Sequence, residues 1–340
     1  MIGSTKLARW NTLIETFRNL GGTANNVVQR EGPLGLGLFP IDSSQPVELR
    51  VPKHLLVDTS NLELRDGAVV IKDPSVHPKG FAEWYEGFQA NYSWGAEARH
   101  SIETFEEGLK SLPDSLRQKL HKTNLVNIKT RYPGVNKEQE LFRRFIATRQ
   151  INHYGKTVMM PIIELTNHSP NESGWIVDKE SIAVRSQYAG EVLVKYSASD
   201  PLHRFIQYGF NCNEAIGFSL TIKLRHRGEE IIINGGLNPK PFEEVNAIKK
   251  GQTVMFNQPL LSSRNAPKMP RALFKQSCKL FKNIESNELF DQIHLKNRIT
   301  LIEIARDLEN INNNFARQLK IAILNQIEIL SEHLGTRKIE

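Results

Sequence analysis

The residue types best suited to chemistry stand together at the end of one apolar run. Met160-Pro-Ile-Ile-Glu-Leu-Thr-Asn-His-Ser-Pro170 contains Asn167 and His168, whose side chains carry several hydrogen-bond donors and acceptors. Such groups cost free energy when they are buried without partners. Packing alone therefore explains the pair poorly, and we expect the fold to supply specific partners or a ligand.

A second candidate element is the glycine-rich run Gly32-Pro-Leu-Gly-Leu-Gly-Leu38. Its Gly35-Leu36-Gly37 core leaves the backbone bare enough to approach the charged ends of a ligand, although a tight turn would also use these glycines. Arg149 ends the run Phe145-Ile-Ala-Thr-Arg. It can pair bidentately with a ligand carboxylate, and a surface arginine at a helix end is the competing interpretation.

Tyrosine hydroxyls are the third candidate group. Tyr196 ends the strand-like run Val192-Leu-Val-Lys-Tyr, directly after Gly190-Glu191, and the triplet Tyr208-Gly209-Phe210 follows. Each ring could instead simply pack in a core.

The sequence predicts no metal site. Its ten histidines are scattered without an HExxH or CxxC pattern, and Cys212 and Cys278 are its only cysteines. Two cysteines exclude a disulfide scaffold and a cysteine-rich zinc cluster.

Bulk composition indicates a globular protein. The chain has 340 residues, 39% hydrophobic and 24% charged, and its net charge is +7. The N-terminal residues lack the apolar core of a signal peptide, and no run is long enough to span a membrane. We therefore expect a cytoplasmic protein without a membrane partner. The basic excess could favour acidic partners or nucleic acid, and a mildly basic solvated surface explains it equally well.

The periodicity of apolar residues alternates between helical and strand-like spacing. Leu7, Trp10, Ile14 and Phe17 share one face of a predicted N-terminal helix that Gly21-Gly22 ends. Short strand-like runs follow, then largely helical residues over 81–145, then short strands again. A hairpin is predicted around Arg227-Gly228, and the residues from Ile304 to Leu334 form an amphipathic helical stretch. The absence of a βαβ pattern argues against a doubly wound fold.

Taken in order, the motifs resemble the cofactor and catalytic elements of SET-domain protein methyltransferases. The closest subgroup contains the RuBisCO large-subunit lysine methyltransferase and the actin histidine methyltransferase. The resemblance rests on the glycine loop followed by Val51-Pro-Lys-His-Leu-Leu56, on Asn167-His168-Ser169 in register with P-x-x-D-x-x-N-H-S, and on Gly190-Glu191, Tyr196 and Tyr208-Gly209-Phe210. Glu164 departs from the usual Asp of that pattern. The loop Ser197–His203 also departs from the Gly and Ser-Asn of relatives, which leaves the target residue open.

The resemblance implies S-adenosyl-L-methionine (SAM) as cofactor and transfer of its methyl group to a protein nitrogen, most readily lysine, with histidine kept open. It implies catalytic roles for Tyr196 and Tyr208. The residues that it implies for cofactor binding are Gly35, Leu36, Gly37, Arg149, Glu164, Asn167, His168 and Phe210. The alternative is a catalytically inactive SET-fold module that binds a protein partner.

The implied fold class is α+β: a SET fold of small curved β-sheets with a knot-like active site, a helical insertion, and a mostly helical C-terminal domain. The predicted divisions are an N-terminal helix over 1–24, SET core over 25–60, helical insertion over 61–145, SET core over 146–215, and a substrate-binding-like domain over 216–340. A basic stripe of Arg271, Lys275, Lys279 and Lys282 is either a solvated face or a docking surface for an acidic protein substrate. No nucleic-acid motif accompanies it, so nucleic-acid binding is not predicted.

Overall fold

The computed structural model describes residues 2–126, 136–235, 247–281 and 283–332. Within these ranges the helices are α1 (Ile2–Asn19), α2 (Phe81–Tyr92), α3 (Arg99–Lys110), α4 (Asp114–Lys122), α5 (Lys137–Arg149), α6 (Pro201–Tyr208), α7 (Met269–Cys278), α8 (Ser286–Glu309) and α9 (Asn314–Glu332). Among the described residues, no helix combines the length and the apolar character that crossing a bilayer requires.

The strands are short. They are β1 (Thr23–Asn25), β2 (Val27–Gly32), β3 (Gly35–Pro40), β4 (Val47–Pro52), β5 (Val57–Asp58), β6 (Leu62–Arg65), β7 (Ala68–Ile71), β8 (Ile151–His153), β9 (Lys156–Met159), β10 (Asn167–His168), β11 (Ile176–Asp178), β12 (Ser181–Ser186), β13 (Leu193–Val194), β14 (Ile216–Phe218), β15 (Ile222–His226), β16 (Glu229–Asn234), β17 (Ala247–Lys250), β18 (Thr253–Asn257) and β19 (Leu260–Ser263). The predicted α+β class is confirmed, with strands gathered into small sheets and helices concentrated toward the C-terminus.

The chain divides into two compact units. The first unit is Met1–Thr104 with Pro133–Ser197, and the second unit is Phe105–Tyr132 with Ala198–Glu340. Each has a hydrophobic core of its own.

Small sheets make up the β part of the first unit. One has the strand order β1-β4-β12-β11, another has β5-β9-β8, and β2-β3 and β6-β7 are separate hairpins. Strand β4 shows why these runs become strands: Val47, Leu49 and Val51 are fully buried, while Glu48 and Arg50 between them are more exposed. This alternation matches the two-residue period of a strand with one buried face.

Helix α1 ends where its glycines predict. The Gly22 amide donates to the carbonyl of Phe17 and the Gly21 amide to that of Arg18, with Gly21 at a φ of +100°. This is the left-handed glycine cap that commonly ends helices. Trp10 and Phe17 are buried as predicted, but Leu7 is 48% exposed, so its predicted place on the buried face is wrong.

Aromatic residues pack helices of the first unit against each other. The segment predicted as a helical insertion begins with the hairpin β6-β7, and its helices start at Phe81. Phe81, Trp84 and Phe88 recur at helical spacing on α2 and are buried. The Trp84 ring stacks on Phe17 of α1 with centroids 5.1 Å apart, which ties the two helices together.

The second unit contains the predicted hairpin. Strands β15 and β16 pair antiparallel, and the turn residues Arg227 and Gly228 both have positive φ. Two positive φ angles suit the right-handed twist of a two-residue hairpin, which confirms the prediction. The four-stranded sheet has the order β15-β16-β18-β17, in which β16 and β18 run parallel.

The C-terminal amphipathic stretch forms two helices. Leu308 is buried near the end of α8, and Ile323 is buried in α9, as the spacing predicts. The run between them contains several asparagines, and Asn313 Oδ1 accepts from the amide of Ala316 to start α9. Asparagine favours such N-terminal caps over helix interiors, so the periodic stretch is interrupted here. Leu334 lies outside the described residues.

Candidate functional site

The segments that carry the predicted chemistry meet through backbone hydrogen bonds in the first unit. Strand β10 lies parallel to β13, with His168 opposite Val194. The Val192 amide donates to the carbonyl of Leu38 at 2.7 Å, which joins the start of β13 to β3. The glycine run, the Asn-His pair and the strand that leads to Tyr196 are therefore neighbours in space.

The side-chain amide of Asn167 has two partners. Its Nδ2 donates to the carbonyl oxygen of Leu36 at 3.2 Å and to Oε1 of Glu191 at 2.6 Å. A carbonyl and an ionised carboxylate only accept, so the amide nitrogen must be the atom that faces them. The partners thus determine the orientation of the amide, and Oδ1 remains as the atom that can accept from a ligand.

Two positions of the glycine run require glycine: Gly35 because of its backbone conformation, and Gly37 because of the side chain that lies beside it. Gly35 has a φ of +90°, a conformation that strains residues with a Cβ. A Cβ on Gly37 would lie 2.1 Å from Oε1 of Glu191, so glycine leaves the room that this carboxylate fills. The Leu36 amide donates to Oε2 of Glu97 at 3.0 Å. Two carboxylates therefore flank the strand, and their charge favours a cationic ligand.

Burial affects the protonation of the Glu191 carboxylate. It raises the pKa of Glu191, and the hydrogen bond from Asn167 opposes that rise. Desolvation disfavours the charged form, whereas a donor to the carboxylate stabilises it.

The imidazole of His168 positions Tyr196. Its Nδ1 accepts from the backbone amide of Tyr196 at 3.1 Å. Because a backbone amide can only donate, Nδ1 carries no proton, and a neutral ring has its proton on Nε2. The ring centroids of His168 and Tyr196 lie 5.1 Å apart. The histidine therefore fixes the backbone of the predicted catalytic residue.

The hydroxyl of Tyr196 makes a hydrogen bond, and its ring stacks on another aromatic ring. The hydroxyl donates to the carbonyl of Thr166 at 2.6 Å, and the ring stacks on Trp175 with centroids 5.7 Å apart and an interplanar angle of 14°. Since its proton is donated to Thr166, the Tyr196 oxygen can act toward a ligand only as an acceptor.

Glu164 is buried, and its two carboxylate oxygens differ in their hydrogen-bond partners. Oε1 accepts from Gln89 Nε2 at 2.9 Å and from the Ser93 hydroxyl at 2.6 Å. Oε2 is buried without a hydrogen-bond partner in the described part of the chain. Burial raises the pKa of Glu164, and the Ser93 hydrogen bond, the charge of Arg149 and the Gln89 hydrogen bond oppose this. A buried orphaned carboxylate oxygen is costly alone and suits a ligand hydroxyl or N–H donor.

Arg149 lies at the end of α5 within electrostatic range of Glu164. Its Nη1 donates to the Thr148 hydroxyl at 2.9 Å, and its guanidinium lies over the Phe145 ring, 4.6 Å from the centroid. Thr148 and Phe145 hold the guanidinium in place, so its rotamer freedom is reduced before it meets any ligand.

A strained turn precedes the Asn-His pair. Ile162 has φ and ψ of 67° and −52°, and the Ile163 amide donates to the carbonyl of Pro161 at 2.9 Å. This is a γ-turn of the rare, strained kind. It leads into the turn Ile163–Leu165, which contacts β3. Such strain is typical of functional sites, where the surrounding structure must maintain it.

Tyr208 and Phe210 belong to the second unit. Tyr208 ends α6, Gly209 follows in the left-handed conformation at a φ of +85°, and the Tyr208 and Phe210 ring centroids lie 6.0 Å apart. The Arg204 guanidinium lies over the Tyr208 ring at 5.2 Å. The catalytic role of Tyr208 and the cofactor-binding role of Phe210 stay predictions.

Sequence reasoning missed Glu97, Trp175 and Glu191 as site residues. Glu191 belonged to a recognised Gly-Glu pair, but nothing in the sequence indicated that its carboxylate bonds to Asn167. Glu97 lies in the π-helical turn Trp94–Ala98, far from β3 in the chain. An exposed loop holds Trp175, and such loops often carry functional residues, so this signal could have been used.

Comparisons with known proteins add one likeness. No protein-family model and no curated protein matches the chain. Among solved structures, the chain is similar to the crystal structure of the SET domain of LSMT bound to lysine and AdoHcy. The TM-score is 0.45 and the sequence identity 14%, with 97% of this chain and 90% of that chain covered. The function of the chain is therefore inferred from its own residues.

Proposed function

We propose that this chain is a SAM-dependent methyltransferase that acts on a protein lysine, with a SET-fold core of the subgroup that the motifs resemble. The observation that carries the proposal is the meeting of β3, β10 and β13, which brings Asn167 beside Leu36 and His168 beside Tyr196. These segments are distant in sequence, and packing alone does not require polar groups at their junction.

The residues present fit SAM. When bound, SAM supplies a methyl group on a positively charged sulfonium, and its amino-acid part carries an ammonium and a carboxylate. Glu97 and Glu191 provide negative charge beside the glycine strand, Asn167 Oδ1 provides an acceptor, and Glu164 Oε2 is a buried oxygen that needs a donor. Arg149 would pair with the cofactor carboxylate.

The contacts of Tyr196 favour an amine as the target. The attacking nitrogen of a neutral lysine carries hydrogens, so it can donate to the Tyr196 oxygen while its lone pair faces the methyl group. The attacking nitrogen of a neutral imidazole carries none, so it would need a donor. Because the Tyr196 proton is donated to Thr166, the amine is the better match.

The remaining contribution of the chain is to orient the amine and lower its proton affinity. Trp175 and Tyr196 form a stacked aromatic wall, which keeps water from a side chain lying against it. Burial and a nearby positive charge both lower the pKa of a lysine, so the neutral amine becomes available. Positioning of the two reactants then accounts for catalysis without a covalent intermediate. By the same resemblance, Tyr208 would have a catalytic role, and Phe210 would pack on the adenine.

The protein substrate would dock on the helical C-terminal part through an acidic surface. Lys268, Arg271 and Lys275 line a cavity of about 380 Å³ together with Phe290. Arg271 is paired with Asp291 at 2.6 Å, whereas Lys268 and Lys275 have no ion pair within the described ranges. Lys282, the last member of the predicted stripe, lies outside the described residues. We expect Lys268→Glu with Lys275→Glu to weaken substrate capture without changing SAM affinity.

The cytoplasmic location of the protein also stays a prediction.

Two measurements test the proposal. Isothermal titration of the purified protein with SAM and S-adenosylhomocysteine measures binding, and labelled-methyl transfer into lysate proteins, followed by mass spectrometry, identifies the modified residue. We expect both ligands to bind and a lysine to carry the label. Tyr196→Phe should abolish most transfer while cofactor binding persists. Absence of binding to the wild-type protein would refute the proposal, and binding without transfer would identify an inactive protein-binding module.

A further inference from the structure

Glu191 makes a close side-chain contact at the candidate site. Its Oε1 accepts from Asn167 Nδ2 at 2.6 Å. A hydrogen bond to an ionised carboxylate is roughly twice as strong as a neutral one. The second hydrogen of the same amide goes to the carbonyl of Leu36 at 3.2 Å. Both donors of Asn167 are therefore used, and the amide cannot turn over without losing both bonds.

The Glu191 carboxylate, which accepts from the Asn167 amide, lies close to two glycines. A Cβ on Gly37 would lie 2.1 Å from Glu191 Oε1, and a Cβ on Gly32 would lie 3.4 Å from Oε2. The carboxylate is thus packed against β2 and β3, where these glycines leave it room. The Val192 amide, which follows Glu191 in the chain, is bound to the carbonyl of Leu38, so the backbone of this segment is also fixed.

We propose that Glu191 is a positioning residue for cofactor recognition, and this inference rests on the proposed function. Glu191 holds the Asn167 amide in the orientation that presents Oδ1, an acceptor, to the ammonium of the SAM amino-acid part. Without Glu191, the amide loses its stronger partner and can present either Nδ2 or Oδ1. An amide nitrogen facing an ammonium would be repulsive, since both groups are donors. Glu191 therefore acts on the amino-acid end of the cofactor and not on its nucleoside.

The test compares two ligands on three proteins, the wild type, Glu191→Ala and Glu191→Gln, by isothermal titration. S-adenosylhomocysteine carries the ammonium, and 5′-methylthioadenosine keeps the adenine, ribose and sulfur but lacks the amino-acid part. Glu191→Ala should weaken S-adenosylhomocysteine binding about tenfold, the cost of the hydrogen bond from the ligand ammonium that a misoriented Asn167 no longer accepts, and change 5′-methylthioadenosine binding less than about twofold. Glu191→Gln should bind S-adenosylhomocysteine more tightly than Glu191→Ala, because its amide oxygen can accept from Asn167, and more weakly than the wild type, because the negative charge beside the glycine strand is lost.

The outcomes separate this inference from the proposed function. A wild-type protein that binds neither ligand refutes both. If the wild type binds, and Glu191→Ala weakens both ligands by the same factor, the role of Glu191 is only structural and the inference is wrong. Should Glu191→Ala fail to fold, Glu191→Asp applies the same criterion, since its shorter side chain withdraws the carboxylate from Asn167. A Gln variant as weak as the Ala variant would also overturn the inference.

Discussion

Replacing Gly37 with alanine is the sharpest single perturbation of this site. The added Cβ would lie 2.1 Å from Glu191 Oε1 and 2.9 Å from Asn167 Nδ2, whereas ordinary contact begins at 3.4 Å. The φ of Gly37 is not positive, so the backbone itself tolerates alanine. The overlap must therefore be relieved by moving the Glu191 carboxylate, which breaks its bond to Asn167.

The expected change in the free energy of unfolding is the sum of two opposed effects. Losing a hydrogen bond to a charged group costs about 1.5–3 kcal/mol. Replacing glycine with alanine stabilises the protein by about 0.4–1 kcal/mol, because it reduces the conformational entropy of the unfolded chain. Since Glu191 is only partly buried, we expect Gly37→Ala to destabilise the protein by about 1 kcal/mol. Affinity for S-adenosylhomocysteine should fall about tenfold, because Asn167 loses its orientation.

Chemical denaturation and isothermal titration of one preparation measure both effects. Gly87→Ala is the matched control: Gly87 lies within α2, and nothing is found within 4 Å of its added Cβ. Alanine inside a helix is favoured over glycine by roughly 0.5–1 kcal/mol, so the control should be slightly stabilised with unchanged affinity. A Gly37→Ala protein as stable as the wild type, with undiminished affinity, would refute the described packing.

Three further substitutions test other contacts. Because burial raises the pKa of Glu164, the folded state holds its proton more tightly than the unfolded state, and stability falls as pH rises above 4.5 toward the raised value. The stability of Glu164→Gln relative to wild type should therefore increase with pH in urea unfolding followed from pH 4 to 7, and a constant difference would contradict this. Trp175→Ala should cost about 1 kcal/mol and reduce transfer by loosening Tyr196, whereas Trp175→Phe keeps the stack; equal effects of the two would show that the ring contact is unimportant. At Ile162, whose φ is 67°, glycine should be at least as stable as alanine, since it relieves about 1–3 kcal/mol of strain while both lose the same buried side chain. A less stable glycine variant, measured by thermal unfolding, would show that the turn is not strained.

Much of the fold was predictable because its signals are local. The alternation in β4, the glycines after α1 and the Arg227-Gly228 turn each depend on residues within a few positions, and each formed as expected. The position of Leu7 was predicted wrongly, because burial depends on which parts of the chain pack against the helix. Leu7 shares the spacing of the buried face, but the described part of the chain leaves it 48% exposed near the start of α1.

The sequence by itself determined which residues are predicted to carry chemistry: the polar Asn167-His168 pair, the glycine run and Tyr196 stand out by residue type and order. Tertiary structure alone decided what those groups do. The Glu191 carboxylate that orients Asn167, the His168 nitrogen that holds Tyr196 and the carbonyl that takes the tyrosine proton are partners brought together by strand pairing. Spacing along a chain indicates which side chains share a helix or strand face. It carries no information on which distant strand lies alongside, because that depends on how the whole unit buries its apolar surface.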